Sequence, residues 1–167
     1  PFYKVASSDI TFVQLIKKIA DTGKPVIIST GYSSFEDIDR ILNNISFKNE
    51  VAFLQCSSAY PAEASQINLN IIPEMIKRFP NNIIGYSGHD SGIVIPLAAY
   101  MKGARIIEKH FTLSRALKGS DHAMSLEPDG LSKMCRGFEK LKESFGSNIK
   151  EKMPYEEKFI YKMRKSI

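Results

Sequence analysis

Two apolar rhythms alternate along this chain. Short runs with little polar interruption, Tyr3–Ser7, Pro25–Ser29, Val51–Cys56, Ile83–Ser87 and Arg105–His110, read as strands. Runs without strict alternation are buried on both faces, which is the habit of parallel sheets. Between them apolar residues recur at helical spacing. The stripes are Ile10, Val13, Ile16 and Ile19; then Phe35, Ile38, Ile41, Leu42 and Ile45; then Ile71, Ile72, Met75, Ile76 and Phe79. The run Ile93–Lys102 follows, and Leu131, Met134, Phe138 and Leu141 form the last stripe after a long loop, Phe111–Ser125. Boundary residues agree with these spans. Ser8 or Asp9 is expected to cap the first helix. Ser34 with Asp37 makes a capping-box start, Pro128 suits a first turn, and Gly23, Gly103 and Gly146 are stops.

The pattern is five βα units in a row, which implies a parallel sheet with right-handed crossovers. Such a chain is α/β, either a small open sheet or a partial (β/α)8 TIM-type barrel of five consecutive βα units. It begins inside a strand pattern and without Met, so it is expected to be a fragment, and the partial barrel is preferred. Residues 1–149 form that barrel, and 150–167 a basic helical tail.

At 167 residues and 43% apolar composition, the chain can bury a real core. No run reaches the length of a membrane span, and Pro1-Phe-Tyr-Lys resembles neither a signal nor a transit peptide. Cys56 and Cys135 stand apart with no CxxC, which predicts reduced, buried thiols and a cytoplasmic location. The net charge of +5 sits largely in the tail, without aromatic–basic interleaving elsewhere, so no nucleic acid partner is expected. An anionic small substrate or a solvated basic tail accounts for it.

Every strand ends in polar residues. Lys4 and Ser7 belong to the first, Ser29 to the second, Ser57, Ser58 and Tyr60 to the third, Ser87 and His89 to the fourth, Glu108 and His110 to the fifth. In parallel α/β folds the carboxyl ends of consecutive strands lie side by side, and sites form there. Hydroxyls and Lys suit phosphate or carboxylate oxygens. Two imidazoles suit a divalent metal with open positions. Against this, any single Ser at a strand end can simply cap the next helix. Glu108 and Lys109 alternate, so they face opposite ways, and Glu108 is expected beside a metal or paired with Lys4 or another cation.

Six segments together carry a resemblance: Lys-Val-Ala-Ser-Ser-Asp (4–9), Gly-Lys-Pro-Val-Ile-Ile-Ser-Thr-Gly (23–31), Gln-Cys-Ser-Ser-Ala-Tyr-Pro (55–61), Gly-Tyr-Ser-Gly-His (85–89), Ile-Glu-Lys-His-Phe-Thr-Leu (107–113) and Lys-Gly-Ser-Asp-His-Ala-Met-Ser-Leu-Glu-Pro (118–128). In this order they resemble the sialic acid (N-acetylneuraminate) synthase family, the phosphoenolpyruvate-dependent synthases of nonulosonic acids. The resemblance implies strands 4 to 8 of a (β/α)8 barrel that condenses phosphoenolpyruvate with an N-acyl mannosamine or related amino sugar, which is 6-phosphorylated in some members. It implies His89 and His110 as ligands of a divalent metal, manganese by preference, with magnesium and cobalt as alternatives. Lys4, Ser7, Ser29, Ser58 and Ser87 match positions that hold phosphoenolpyruvate; some members carry Asn at 58, so Ser there loses an amide donor. Asp9, Tyr60, Glu108 and Asp121 are the catalytic candidates, Asp9 being shorter than the Glu often found there. His122 is expected not to be a ligand. The resemblance further implies three strands ahead of Lys4, a C-terminal antifreeze-like domain beyond the tail, and a homodimer in the full-length form.

Two other classes fit the residues. One is a different phosphosugar barrel enzyme, an aldolase or isomerase, with Lys4, the only strand lysine near a carboxyl end that could serve, as its reactive amine. The other is a non-catalytic partial barrel that binds a metal or phosphosugar.

Overall fold

The computed structural model describes residues 1–165; Ser166 and Ile167, the end of the basic tail, lie outside the described residues. The strands β1 (Tyr3–Val5), β2 (Val26–Ser29), β3 (Val51–Cys56), β4 (Ile83–Gly88) and β5 (Ile107–Lys109) form one sheet in sequence order. All four pairings are parallel. The helices α1 (Val13–Asp21), α2 (Phe35–Asn44), α3 (Ile71–Arg78) and α4 (Val94–Met101) are the crossovers, followed by α5 (Pro128–Ser144) and α6 (Pro154–Met163). The five expected βα units are all present, as a half-barrel with helices.

The register divides the sheet into two faces. Val5, Ile28, Phe53 and Ile84 are paired across four strands and are all buried. They pack with Ile16, Ile38, Ile41, Ile72 and Met75 from the helices, so this is the helix-covered face and the main core. One residue along, Lys4, Ile27, Ala52 and Ile83 form a row on the opposite face. Four residues further on, Cys56, Ser87 and Glu108 are paired on that same face. The second face is thus apolar at the amino ends of the strands and polar at their carboxyl ends. Two edges, β1 and β5, pair on one side only.

Local signals explain most boundaries. Gly23 adopts a φ of 70°, the left-handed conformation that ends α1. Ser34 and Asp37 form the reciprocal capping box at α2. Pro128 occupies the first turn of α5, which packs on α4 through Tyr100 and Phe138, ring centres 5.4 Å apart.

Four expectations need correction. The first helix does not begin at Ser8 or Asp9: Ser7–Asp9 is a 3-10 turn, and α1 starts at Val13. The Ser7 hydroxyl is already committed, accepting the Gly31 N–H at 2.9 Å. β5 is shorter than Arg105–His110, spanning Ile107–Lys109; at its carboxyl end His110 leaves the ladder, its carbonyl accepting from Leu126 N–H. Ile76 does not face inward as Ile72 and Met75 do; it is 38% exposed. Cys56 is buried, but Cys135 on α5 is exposed. Among the described residues, no helix is long and apolar enough to cross a membrane.

Candidate active site

The polar end of the second face is a cavity of about 350 Å3 lined by Lys4, Ser7, Ser29, Tyr60, Ser87, Glu108 and the two histidines, among others. Each strand delivers its residue by pointing its last inward position at the rim. Lys4 comes from the middle of β1; its amine donates to the Ser29 hydroxyl and to its neighbour's carbonyl, Val5, both at 2.9 Å. Glu108 lies 3.5 Å from that amine, and the Ser87 hydroxyl donates to Glu108 Oε1 at 3.1 Å. A chain of Ser29, Lys4, Glu108 and Ser87 therefore spans the cavity from β2 to β5. Lys4 and Glu108 are partly exposed, so their ion pair contributes little to stability. Such a pair is free to exchange partners with an anion.

His89 follows β4 directly and His110 follows β5. Their ring centres are 5.3 Å apart, and the Tyr60 ring packs 4.0 Å from that of His89 and 6.2 Å from that of His110. His89 Nδ1 lies 2.9 Å from the Ser57 carbonyl and 3.9 Å from Cys56 Sγ. A carbonyl can only accept, so Nδ1 carries the proton there and Nε2 is left for another partner. Burial pulls the His89 imidazole down, but its contacts with Cys56 and the Ser57 carbonyl hold it above its ordinary value. Burial likewise pushes the Cys56 thiol up, but contacts with His89, Ser7 and Ser58 together outweigh it and hold the thiol below its ordinary value. His110 Nδ1 faces an Asp121 oxygen at 3.6 Å. His122 stands aside, bonded to the Thr112 hydroxyl at 2.7 Å.

Not every sequence candidate enters the cavity. Ser58 lies behind its wall: its hydroxyl is buried without a hydrogen-bond partner, against Gly31 and Ser7. Asp9 ends the 3-10 turn that carries Ser7 and does not line the cavity, while Asp121 reaches it only through His110. Tyr32 and Cys56 line it without having been singled out in the sequence. Their positions, one after Gly31 and last in β3, were the available signal.

A second polar group was also missed. On the covered side, the Tyr86 hydroxyl donates to Asp90 Oδ1 at 2.7 Å, and Lys109 Nζ lies 3.2 Å from the same oxygen. The Lys109 and Asp90 side chains are only 3% and 4% exposed. Burial lowers the Lys109 amine from its ordinary value, opposed by Asp90; burial together with the Asp90 hydrogen bond raises the Tyr86 phenol. The alternation expected at 108 and 109 holds: Glu108 points to the cavity beside Lys4, and Lys109 away from it. Among the described residues, no group of three or more His, Cys, Asp or Glu side chains is preassembled to hold a metal.

The model of the NeuB family matches residues 1–150. The chain belongs to the NeuB family. NeuB relatives include the N-acetylneuraminate-9-phosphate synthase of Homo sapiens, 39% identical over 168 residues, with all of this chain and 47% of the relative covered. The N,N'-diacetyllegionaminic acid synthase of Campylobacter jejuni is 37% identical over 169 residues, covering 99% of this chain and 50% of the relative. The chain thus spans about half the length of these curated relatives. Among solved structures, the sialic acid synthetase of Leptospira borgpetersenii superposes with a TM-score of 0.83 at 34% identity, over 96% of this chain and 56% of that one. A DAHP synthase of Thermotoga maritima has a TM-score of 0.68 at 18% identity, over 89% of this chain and 47% of that one, a likeness of fold alone. Both likenesses fit the partial-barrel fold that the five βα units lead one to expect.

Proposed function

We propose that this chain carries the phosphoenolpyruvate and metal-binding part of a nonulosonic acid synthase site, in which phosphoenolpyruvate condenses with an N-acyl mannosamine or a related amino sugar. The observation that carries the reading is the convergence of Lys4, Ser29, Ser87, Glu108, His89 and His110 on one cavity at the strand ends. Relatives named as sialic and legionaminic acid synthases support the reaction class.

Lys4 and the Ser29 and Ser87 hydroxyls would hold the phosphate and carboxylate oxygens, with the anion displacing Glu108 from Lys4. Holding both ends of the substrate turns an encounter into a positioned reaction. Carbon 3 of phosphoenolpyruvate forms a bond with the aldehyde carbon, water adds at carbon 2, and the C–O bond to phosphate breaks. Glu108, no longer shared with Lys4, is placed to handle the proton of that water, and Tyr60 and Asp121 flank the side where the sugar would sit. His89 and His110 fit a divalent ion: with each Nδ1 turned to an oxygen partner, both Nε2 atoms are available. Rings this far apart can reach one ion at about 2.0–2.3 Å from each nitrogen. Manganese, or magnesium or cobalt in its place, would supply Lewis-acid polarisation of the aldehyde oxygen. Two protein ligands leave positions for water and substrate.

Lys109 is buried away from this cavity, so the aldolase reading rests on Lys4 alone. We place the reaction in the cytoplasm, in a homodimeric full-length form, with no nucleic acid or membrane partner. Calorimetry of phosphoenolpyruvate binding to the chain, with and without manganese, tests the reading. One site is expected, and Lys4→Ala should weaken it about tenfold or more, as for loss of a charge-assisted hydrogen bond. Equal affinity in Lys4→Ala and wild type would remove Lys4 from the anion site.

A further inference from the structure

We propose that the buried Tyr86–Asp90–Lys109 network is a positioning device that sets the separation of the His89 and His110 rings. The sheet itself does not do so. The ladder between β4 and β5 ends at the pair Gly88 and Lys109, one residue short of both histidines. Beyond it, the His89 carbonyl accepts from Ala62 and the His110 carbonyl from Leu126, so the two backbones part to different neighbours. What joins them at this level is the side-chain tie. Asp90 follows His89 and Lys109 precedes His110, and the Lys109 amine grips both the Asp90 carboxylate and the Asp90 backbone carbonyl. The Tyr86 hydroxyl fixes the same carboxylate oxygen from within β4.

The strand is built around this tie. A Cβ on Gly88 would lie 2.5 Å from Asp90 Oδ1 and 2.5 Å from the Tyr86 ring, so only glycine leaves room for the network at the end of β4. The other carboxylate oxygen, Asp90 Oδ2, is buried with no hydrogen-bond partner. An ion pair buried with one oxygen unsatisfied is a poor way to gain stability, since apolar side chains of similar volume often do as well or better. Fixing geometry is the better-attested use of such pairs. Each ring is turned by its own partner, the Ser57 carbonyl for His89 and Asp121 for His110, while the network holds the backbone that carries the two rings. None of the three side chains lines the cavity, so they act on the site through the histidines.

The inference rests on the metal reading only for its choice of ion. The test uses the whole chain and the double variant Asp90→Asn/Lys109→Met, which leaves no lone buried charge. Two readouts are taken: nuclear Overhauser contacts between the His89 and His110 rings without metal, and the dissociation constant for manganese alone. The variant should fold, by circular dichroism, yet lose the ring-to-ring contacts and bind manganese about tenfold more weakly. A core variant in α1, Ile16→Val, loses stability at a helix away from β4 and β5 and should leave both readouts unmoved. Should the double variant fail to fold, Tyr86→Phe removes a single hydroxyl and should move both readouts the same way by a smaller factor. Ring contacts preserved and affinity within twofold of wild type, in whichever variant folds, would overturn the proposal. A wild-type chain that binds no manganese would defeat the metal reading alone, and the ring contacts would then decide the positioning role by themselves.

Discussion

Gly31 has no side chain, and the space where one would stand is already taken. A Cβ there would lie 2.0 Å from Ser58 Oγ and 2.8 Å from Ser7 Oγ. The Gly31 N–H also donates to Ser7 Oγ, so this residue holds one cavity-lining hydroxyl and leaves room for a buried one. Gly31→Ala should therefore destabilise the chain by about 1–3 kcal/mol, the usual cost of forcing atoms into a packed site. The double variant Gly31→Ala/Ser58→Ala, which removes the nearest clashing atom, should recover most of that loss in a thermal melt. No recovery would mean that Ser7, not Ser58, sets the limit. At this scale the sequence exposed what strand ends expose. Lys4, Ser29, Ser87, Glu108, His89 and His110 are legible because a strand's last inward residue must face the rim. Ser58 is not, since its hydroxyl turns behind the wall. The turn of Lys109 away from Glu108 is legible from alternation, but its pairing with Asp90 is not: a charge on the covered face of a strand is intelligible only once its partner, 19 residues away, is known to sit beside it.

Among the elements, α2 shows a purely local signal surviving intact. Asp37 Oδ2 accepts the Ser34 N–H at 2.9 Å, and both residues belong to the capping box at the first turn. Asp37→Ala should cost about 1 kcal/mol, which for a domain of this size lowers the melting temperature by about 2–4 °C. An unchanged melt would show that packing of Ile38 and Ile41 alone fixes the start of α2. The contrast with α1 explains where sequence reading stops. Ser7, Ser8 and Asp9 offer the same capping chemistry, yet the chain makes a 3-10 turn there and delays α1 until Val13. The difference is tertiary: Ser7 is bonded to Gly31 on another strand's loop, so its hydroxyl is not available to a helix. The carboxyl end of β5 stops early on the same grounds, because His110 and Thr112 find their hydrogen bonds with Leu126 rather than with a neighbouring strand.

For the whole molecule, the open second face matters most. Its apolar end, with Ile83 41% and Phe2 60% exposed, surrounds a hollow of about 110 Å3 shared with Ile27 and Ile106. Its polar end continues past β5 into a recess of about 230 Å3 lined by Ser87, Gly88, Glu108, Lys109 and His110. The candidate site is therefore bounded on the β1-to-β5 side and open on the other. Barrel closure ties strand number to tilt and shear, and five strands with two free edges do not meet it. Electrostatic catalysis depends on fixed donors in a water-excluded site, where a single donor is worth on the order of 10²-fold or more in rate. The cradle of Lys4, Ser29 and Ser87 persists without closure, whereas exclusion of water does not. This 167-residue chain on its own should thus bind phosphoenolpyruvate weakly and release phosphate slowly, at a small fraction of the rate of a whole synthase such as the Leptospira relative. The measurement is phosphate release from phosphoenolpyruvate with manganese and N-acetylmannosamine, alongside sedimentation of the same sample. Turnover near that of the whole relative, in a sample that sediments as a monomer, would refute the prediction. Turnover that rises with protein concentration together with a larger sedimenting species would locate the missing wall in a second copy of the chain, paired across the free edges of β1 and β5.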